Sequence, residues 1–250
     1  MHGFFTSNLD IAASALLPIV FALAIFVAEA KGPLSAPIRA TRGVVGPYFN
    51  AVAIVFGLFA ALLASDVWLK TNEAKRAVLA ESHAVQALGH MARAANVENV
   101  VIPRLKAYVE AASHEDPHSE TIGHRRSKTE QAYLELLTSI SQAYGMDGSI
   151  RTSMLTTARE LLKAHGDRLN LANDVAAPIK WIAILVLGAL TQIALLLVHV
   201  DNQRAMRASI SLFTVAFSFC LLVVAVFDTP FDQILANEPA RSLKAALESL

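Results

Sequence analysis

Four long stretches of the chain carry hardly any polar side chain, and they come in two pairs. They run over 11–28, 44–65, 181–198 and 208–227, and none has a charged residue in its interior. A helix needs about 20 residues to cross the roughly 30 Å hydrocarbon core of a bilayer, so each run is long enough to span one. In lipid the backbone must satisfy its own hydrogen bonds, which makes helices the spanning form. The connections are unequal. Residues 29–43 join the first pair, 199–207 join the second, and 66–180 separate the two pairs. The pattern predicts an all-α integral membrane protein with four transmembrane helices in two hairpins and a helical bundle inserted between them. The divisions are 1–69 for the first hairpin, 70–177 for the soluble helical domain, 178–228 for the second hairpin and 229–250 for a tail.

Inside the inserted segment the pattern changes to apolar residues three and four apart, the signature of amphipathic helices. Val78, Val85, Leu88 and Ala92 mark one stripe, and Ile102, Leu105, Val109 and Ala112 a second. Tyr133, Leu137, Ile140 and Tyr144 mark a third; Met154, Ala158, Leu161, His165 and Leu169 mark a fourth. The expected core of this bundle includes Leu88, Leu105, Leu137 and Leu161. No proline stands between Ser65 and Arg93, so the second span is expected to run on out of the membrane as one long helix. Pro178 suits the first turn of the third span. The tail ends in a short amphipathic helix carrying Leu243, Leu247 and Leu250, whose apolar face needs a partner or the membrane surface.

Composition agrees with the pattern: 54% of residues are hydrophobic and 17% charged, against the quarter or so that a water-facing surface requires. Net charge is zero, which removes nucleic acid from the expected partners. The lone cysteine, Cys220, permits no disulfide within the chain. Basic residues favour the cytoplasmic side in short loops. Lys31, Arg39 and Arg42 lie in the first short loop and Arg204 and Arg207 in the second, which places the helical domain outside, in the periplasm of a bacterial inner membrane protein.

Several features coincide in sequence order. They are Ser65-Asp66-Val67-Trp68 leading into a long charged helix, the entry from Pro178 to Trp181 into span three, and Asp228-Thr229-Pro230-Phe231 closing span four. With the two-hairpin layout they resemble the bacterial family of bestrophin-like proteins, from about Pro47 onward. The family signature Asp-x-Pro-Phe-x-Gly is matched by Asp228, Pro230 and Phe231, while Gln233 stands where Gly is usual. Gln carries a steric penalty at positive φ that Gly avoids. The resemblance implies an anion channel built as a symmetric ring of four-span subunits with its pore on the axis. It also implies a cytoplasmic position for the inserted domain, opposite to the charge count.

Polar residues near the spans are the candidates for an ion pathway, because intramembrane polar groups face a cavity or another helix. Gln192 and Thr191 lie deep in span three and Asp66 at the end of span two, and these three are the pore or mouth candidates. Asp228, Pro230 and Phe231 form the signature, structural or functional. His114, His118 and His124 lie near Glu115, Asp116 and Glu120, but Pro117 interrupts the spacing that a zinc site on a helix would use, so no metal and no cofactor is expected. The sequence lacks His-Glu-x-x-His, a phosphate-binding Gly loop and a nucleophile elbow, and no enzyme is expected. The expected partners are the lipid bilayer, further copies of the chain and a protein bound through the helical domain. The rival readings are an extracytoplasmic sensor or adaptor and a structural subunit of a larger membrane complex.

Overall fold

The computed structural model describes residues 8–31, 46–115, 127–173, 178–228 and 230–250, and among these every regular element is a helix. In chain order they are α1 (Asn8–Lys31), α2 (Gly46–Ala94), α3 (Glu98–Ser113), α4 (Lys128–Gln142), α5 (Gly148–Asn173), α6 (Pro178–Val198), α7 (Gln203–Asp228), the single turn α8 (Pro230–Gln233) and α9 (Glu238–Glu248). The Cα framework divides into two compact units. One comprises 1–69 with 175–229, the other 70–174 with 230–250, and α2 contributes to both.

The first unit is the apolar one. Three helices of the described chain are long and apolar enough to cross a membrane, those over Phe49–Ala94, Ile179–Val198 and Gln203–Asp228, and α1 adds a shorter apolar stretch over Ser14–Glu29. Helix α1 packs on α7 and α6, and α6 packs on α7. Two apolar clusters hold the unit: Leu63, Val67, Trp181, Ile184, Phe217, Leu221, Val224 and Ala225 in one, Ala22, Ile25, Leu195, Leu196, Met206 and Ile210 in the other. Gly188 lets α6 approach α7 closely, since a Cβ there would fall on the Phe217 ring. That ring is itself fixed edge-on against Phe56, with centroids 5.3 Å apart. Asn202 starts α7 by accepting from the Ala205 N–H at 3.1 Å through its side-chain oxygen.

The second unit is a bundle of the later part of α2 with α3, α4, α5 and α9. After Pro47, α2 runs to Ala94 uninterrupted for want of a breaker stronger than glycine. It ends at Asn96, whose φ of 55° is the left-handed position of a helix stop; Val97 N–H returns to the Ala92 carbonyl and Asn96 N–H to that of Arg93. Ser127 caps α4 by accepting from Glu130 N–H at 3.0 Å, half of a Ser-x-x-Glu box. Between α4 and α5 the chain turns at Gly145, φ 78°. Asp147 then receives the Ser149 N–H at 2.7 Å to start α5.

Val85, Leu88, Leu105, Leu136, Ile140, Met154 and Leu161 are fully enclosed in this core. The third apolar stripe therefore runs through Tyr133, Leu136 and Ile140, whereas Leu137 is half-buried and Tyr144 wholly exposed. Tyr144 keeps the three-and-four spacing on paper, but α4 ends at Gln142 and the turn swings its side chain away. Helix α9 buries Leu243 and Ala246 in the same core, and Leu250 covers Gly89 of α2. A smaller cluster joins Ala74, Val78, Ala172, Phe231 and Leu235.

Candidate functional site

In the apolar unit the polar side chains deep in the helices are neutral, and Gln192 Oε1 and Ser218 Oγ are buried without a hydrogen-bond partner among the described residues. Gln192 is fully buried; its Nε2 donates to the Pro18 carbonyl at 3.2 Å and to Thr214 Oγ1 at 2.8 Å. Thr214 passes its own hydrogen to the Ile210 carbonyl at 2.7 Å, so both groups facing Gln192 need a donor and the amide orientation follows. One side chain thus ties α6 to α1 and α7. Thr191 is also buried and turns its hydroxyl back onto the Leu187 carbonyl of its own helix at 2.8 Å. Gln192 further lines a cavity of about 260 Å³ whose walls are otherwise apolar, among them Leu17, Pro18, Phe21, Val186 and Phe217.

Charge sits toward the helix ends. Asp66 is exposed and accepts from Lys180 Nζ at 2.5 Å. Asp228, at the last position of α7, is buried, and Trp181 Nε1 donates to its Oδ2 at 3.3 Å. Of the other signature residues, Pro230 opens α8 and its carbonyl accepts from both Ile234 and Leu235 N–H, while Phe231 is buried in the second unit. Gln233 lies in α8, and among the described residues positive φ occurs only at Asn96 and Gly145, so the turn after Phe231 does not use the conformation that glycine would favour. Glu29 is buried as well and accepts from Gln203 Nε2 at 2.7 Å. Thus Asp66, Gln192 and Asp228 occupy three separate settings.

The bundle unit holds a buried constellation of charged and polar side chains that apolar spacing does not reveal. Glu81 is fully buried on α2 and takes three donors. Arg168 Nε reaches its Oε2 at 2.7 Å, and Tyr108 Oη and His165 Nδ1 each stand 3.0 Å from its Oε1. His165 Nε2 lies 3.1 Å from Glu115 Oε2, an ion-pair distance without hydrogen-bond alignment, so the ring stands between two carboxylates. Arg168 also donates to the Ala112 carbonyl at 3.3 Å, in the last turn of α3. Burial by itself would raise Glu81, but the hydrogen bond from His165 and the Arg168 charge outweigh it and hold the carboxyl below its ordinary pKa. Burial and the Glu81 charge push Tyr108 well up. Glu115 is opposed by burial yet held low by His165 and Thr129.

The signal for this cluster was present. Glu81 falls between Val78 and Val85 on the apolar stripe of α2, and Arg168 continues the stripe Leu161, His165 on α5. A charge on a buried stripe demands a partner, and these two are each other's. Other histidines are placed differently: His83, His90 and His114 are exposed, and His118 and His124 lie outside the described residues. Among the described residues no group of His, Cys, Asp and Glu is arranged to hold a metal ion.

The family model described as a Bestrophin-like domain matches residues 16–240. No curated protein sequence matches the chain. Among solved structures, the crystal structure of a bacterial bestrophin homologue from Klebsiella pneumoniae superposes with a TM-score of 0.70 at 13% identity, covering 96% of this chain and 96% of that one. Two mutants of that homologue give 0.71 at 13% and 14% identity, with 96% of this chain and 96% and 97% of theirs covered. At such identity the likeness is one of fold.

Proposed function

Because this chain belongs to the bestrophin-like family of helical membrane proteins, we propose that it is a homo-oligomeric channel or transporter for small ions, with four membrane-crossing helices per subunit. The observation that carries the reading is the family match along nearly the whole chain. The packing of α2 supports the oligomer: the apolar window of α2 is only 11% buried within the chain, against 39% for α6 and 33% for α7. Lipid or further copies must cover the rest, and a ring of copies is the arrangement that the bestrophin resemblance implies.

Within this reading Gln192 joins helices through its Nε2, which bonds to α1 and α7, and Thr191 bonds back to its own helix. Asp66 is the mouth candidate. It is exposed on a helix of which little is buried, and among the described residues Lys180 is its ion-pair partner. A carboxylate ring at a mouth favours cations. The protein reconstituted in planar bilayers is expected to pass current, and Asp66→Asn to lower its cation-to-anion permeability ratio. An unchanged ratio would remove Asp66 from the pathway. Silence of correctly assembled particles under varied voltage, pH and calcium would favour the adaptor reading instead.

The basic short loops put the helical unit on the extracytoplasmic side of a bacterial inner membrane. Cysteines at Ser119 and Ser35, in a Cys220→Ala background, test this with an impermeant thiol reagent on spheroplasts. Labelling at Ser119 alone is expected; labelling at Ser35 alone would reverse the topology.

A further inference from the structure

The ionic cluster inside the bundle takes no part in an ion pathway through the membrane helices, and its chemistry points elsewhere. His165 is buried, with a carboxylate at each ring nitrogen: Glu81 at 3.0 Å from Nδ1 and Glu115 at 3.1 Å from Nε2. A neutral imidazole has one N–H, so either tautomer leaves a nitrogen lone pair facing a carboxylate. Only the imidazolium serves both. The charges agree: Glu81 and Glu115 against Arg168 and a protonated His165 sum to zero, whereas a neutral ring leaves one uncompensated negative charge among buried groups.

A second arrangement is already within reach. Arg168 Nη2 stands 3.1 Å from the same Nδ1 and can only donate. Once Nδ1 is bare, that guanidinium becomes its partner; Nη2 carries two hydrogens, so its 3.3 Å bond to the Ala112 carbonyl persists, and what is lost is the positive charge between Glu81 and Glu115. Glu81 then keeps Tyr108 and Arg168 Nε. We propose that His165 is a proton-operated switch in the bundle interior: protonated, it stands as a cation between Glu81 on α2 and Glu115 beyond the end of α3, and on releasing the Nδ1 proton to solvent it hands Nδ1 to Arg168 and leaves Glu115 without a cation, which loosens the chain after α3 from α5.

Among the described residues, the groups that face this ring or its direct partners come from four elements. They are Glu81 of α2, Tyr108 of α3 with Glu115 after it, Arg168 beside it on α5, and Tyr133 of α4, whose ring meets that of Tyr108. Ser127 and Thr129 hydroxyls support Glu115, and Arg159 acts on Tyr133. Burial lowers the pKa of His165, but Glu115, the hydrogen bond to Glu81 and the Glu81 charge outweigh both burial and the opposing Arg168 charge, so it lies above the ordinary histidine value. A group whose folded pKa is raised lends stability that is complete below the unfolded value. That stability is lost as pH rises through the folded pKa. The bundle therefore tightens in mild acid and loosens in mild alkali.

Hydrogen–deuterium exchange on the full-length protein in detergent, read on peptides of α3 and α5 and corrected for intrinsic rates, tests the switch. Protection in wild type is expected to be flat below about pH 6.5 and to fall up to about tenfold per pH unit above it, until the folded pKa is passed. His165→Gln is expected to abolish that slope. Should that variant fail to fold, Glu115→Gln retains the ring but removes one carboxylate, and the upper edge of the slope is expected to move to lower pH. A merely structural Glu115 would lower protection equally at every pH. The proposal is overturned by a wild type without slope, by a slope that survives His165→Gln, or by an upper edge that Glu115→Gln leaves in place.

Discussion

In the membrane unit the described polar side chains buried in mid-helix are all neutral, Ser14, Thr191, Gln192 and Thr214, whereas the bundle buries the charged or chargeable groups Glu81, Arg168 and His165 besides the hydroxyls of Thr71 and Ser82. The difference follows from what each surrounding offers during assembly. A helix in lipid has no water to hydrate a stray charge before it meets its partner, so neutral groups that bond back to a helix carbonyl, as Thr191 and Thr214 do, are tolerated at mid-depth. The bundle assembles from segments that begin in water. There a carboxylate and a guanidinium on facing stripes can find each other, and once enclosed they admit few alternative pairings.

The strongest way to break this comparison is to strand the bundle's buried carboxylate. Arg168→Met is expected to cost about 3–5 kcal/mol, because the enclosed Glu81 loses its guanidinium and keeps only His165 and Tyr108. Adding Glu81→Leu should restore part of the loss, since it removes the desolvated charge but leaves Tyr108 Oη and His165 Nδ1 without their carboxylate; chemical unfolding of the detergent-solubilised protein measures both. Next comes the apolar packing around it. Leu136→Ala is expected to cost about 2–5 kcal/mol and Leu137→Ala clearly less, as only Leu136 is fully enclosed. Equal losses would mean that the phase of α4 is wrong.

Smaller effects belong to the membrane unit. Gln192→Leu removes the tie between α6, α1 and α7 but leaves Thr214 bonded to Ile210, so a loss of about 0.6–1.7 kcal/mol is expected in the same measurement. A loss as large as that of Arg168→Met would erase the contrast drawn here. Smallest is Asp66→Asn, expected to change stability by no more than about 1 kcal/mol because its ion pair with Lys180 is exposed. Its effect belongs to permeation.

Much of the helical framework was legible because apolar runs and apolar stripes are set by the solvent each face meets. Val78, Val85, Leu88 and Ala92 are buried as their spacing requires. Tyr144 was not legible that way, since spacing does not say where a helix stops, and the stop is made by backbone geometry around Gly145. Nor were the site contacts. Asp228 meets Trp181 across 47 positions and Glu81 meets Arg168 across 87, and no local rule links residues so far apart. Stripes scored only for apolar letters also hide the very charges that matter, which is how Glu81 and Arg168 escaped notice.

The bundle is assembled from two stretches of chain, 70–174 and 230–250, with α6 and α7 encoded between them. Leu243 of α9 reaches its fully enclosed place in that core only after both apolar helices have been made. During synthesis α2, α3, α4 and α5 therefore wait with a bare apolar surface where α9 will lie, for as long as the translocon takes to insert the segment that follows. A nascent chain stalled after α7 would display that surface to chaperones and proteases, so correct membrane insertion becomes a checkpoint that the folding of the bundle reads out.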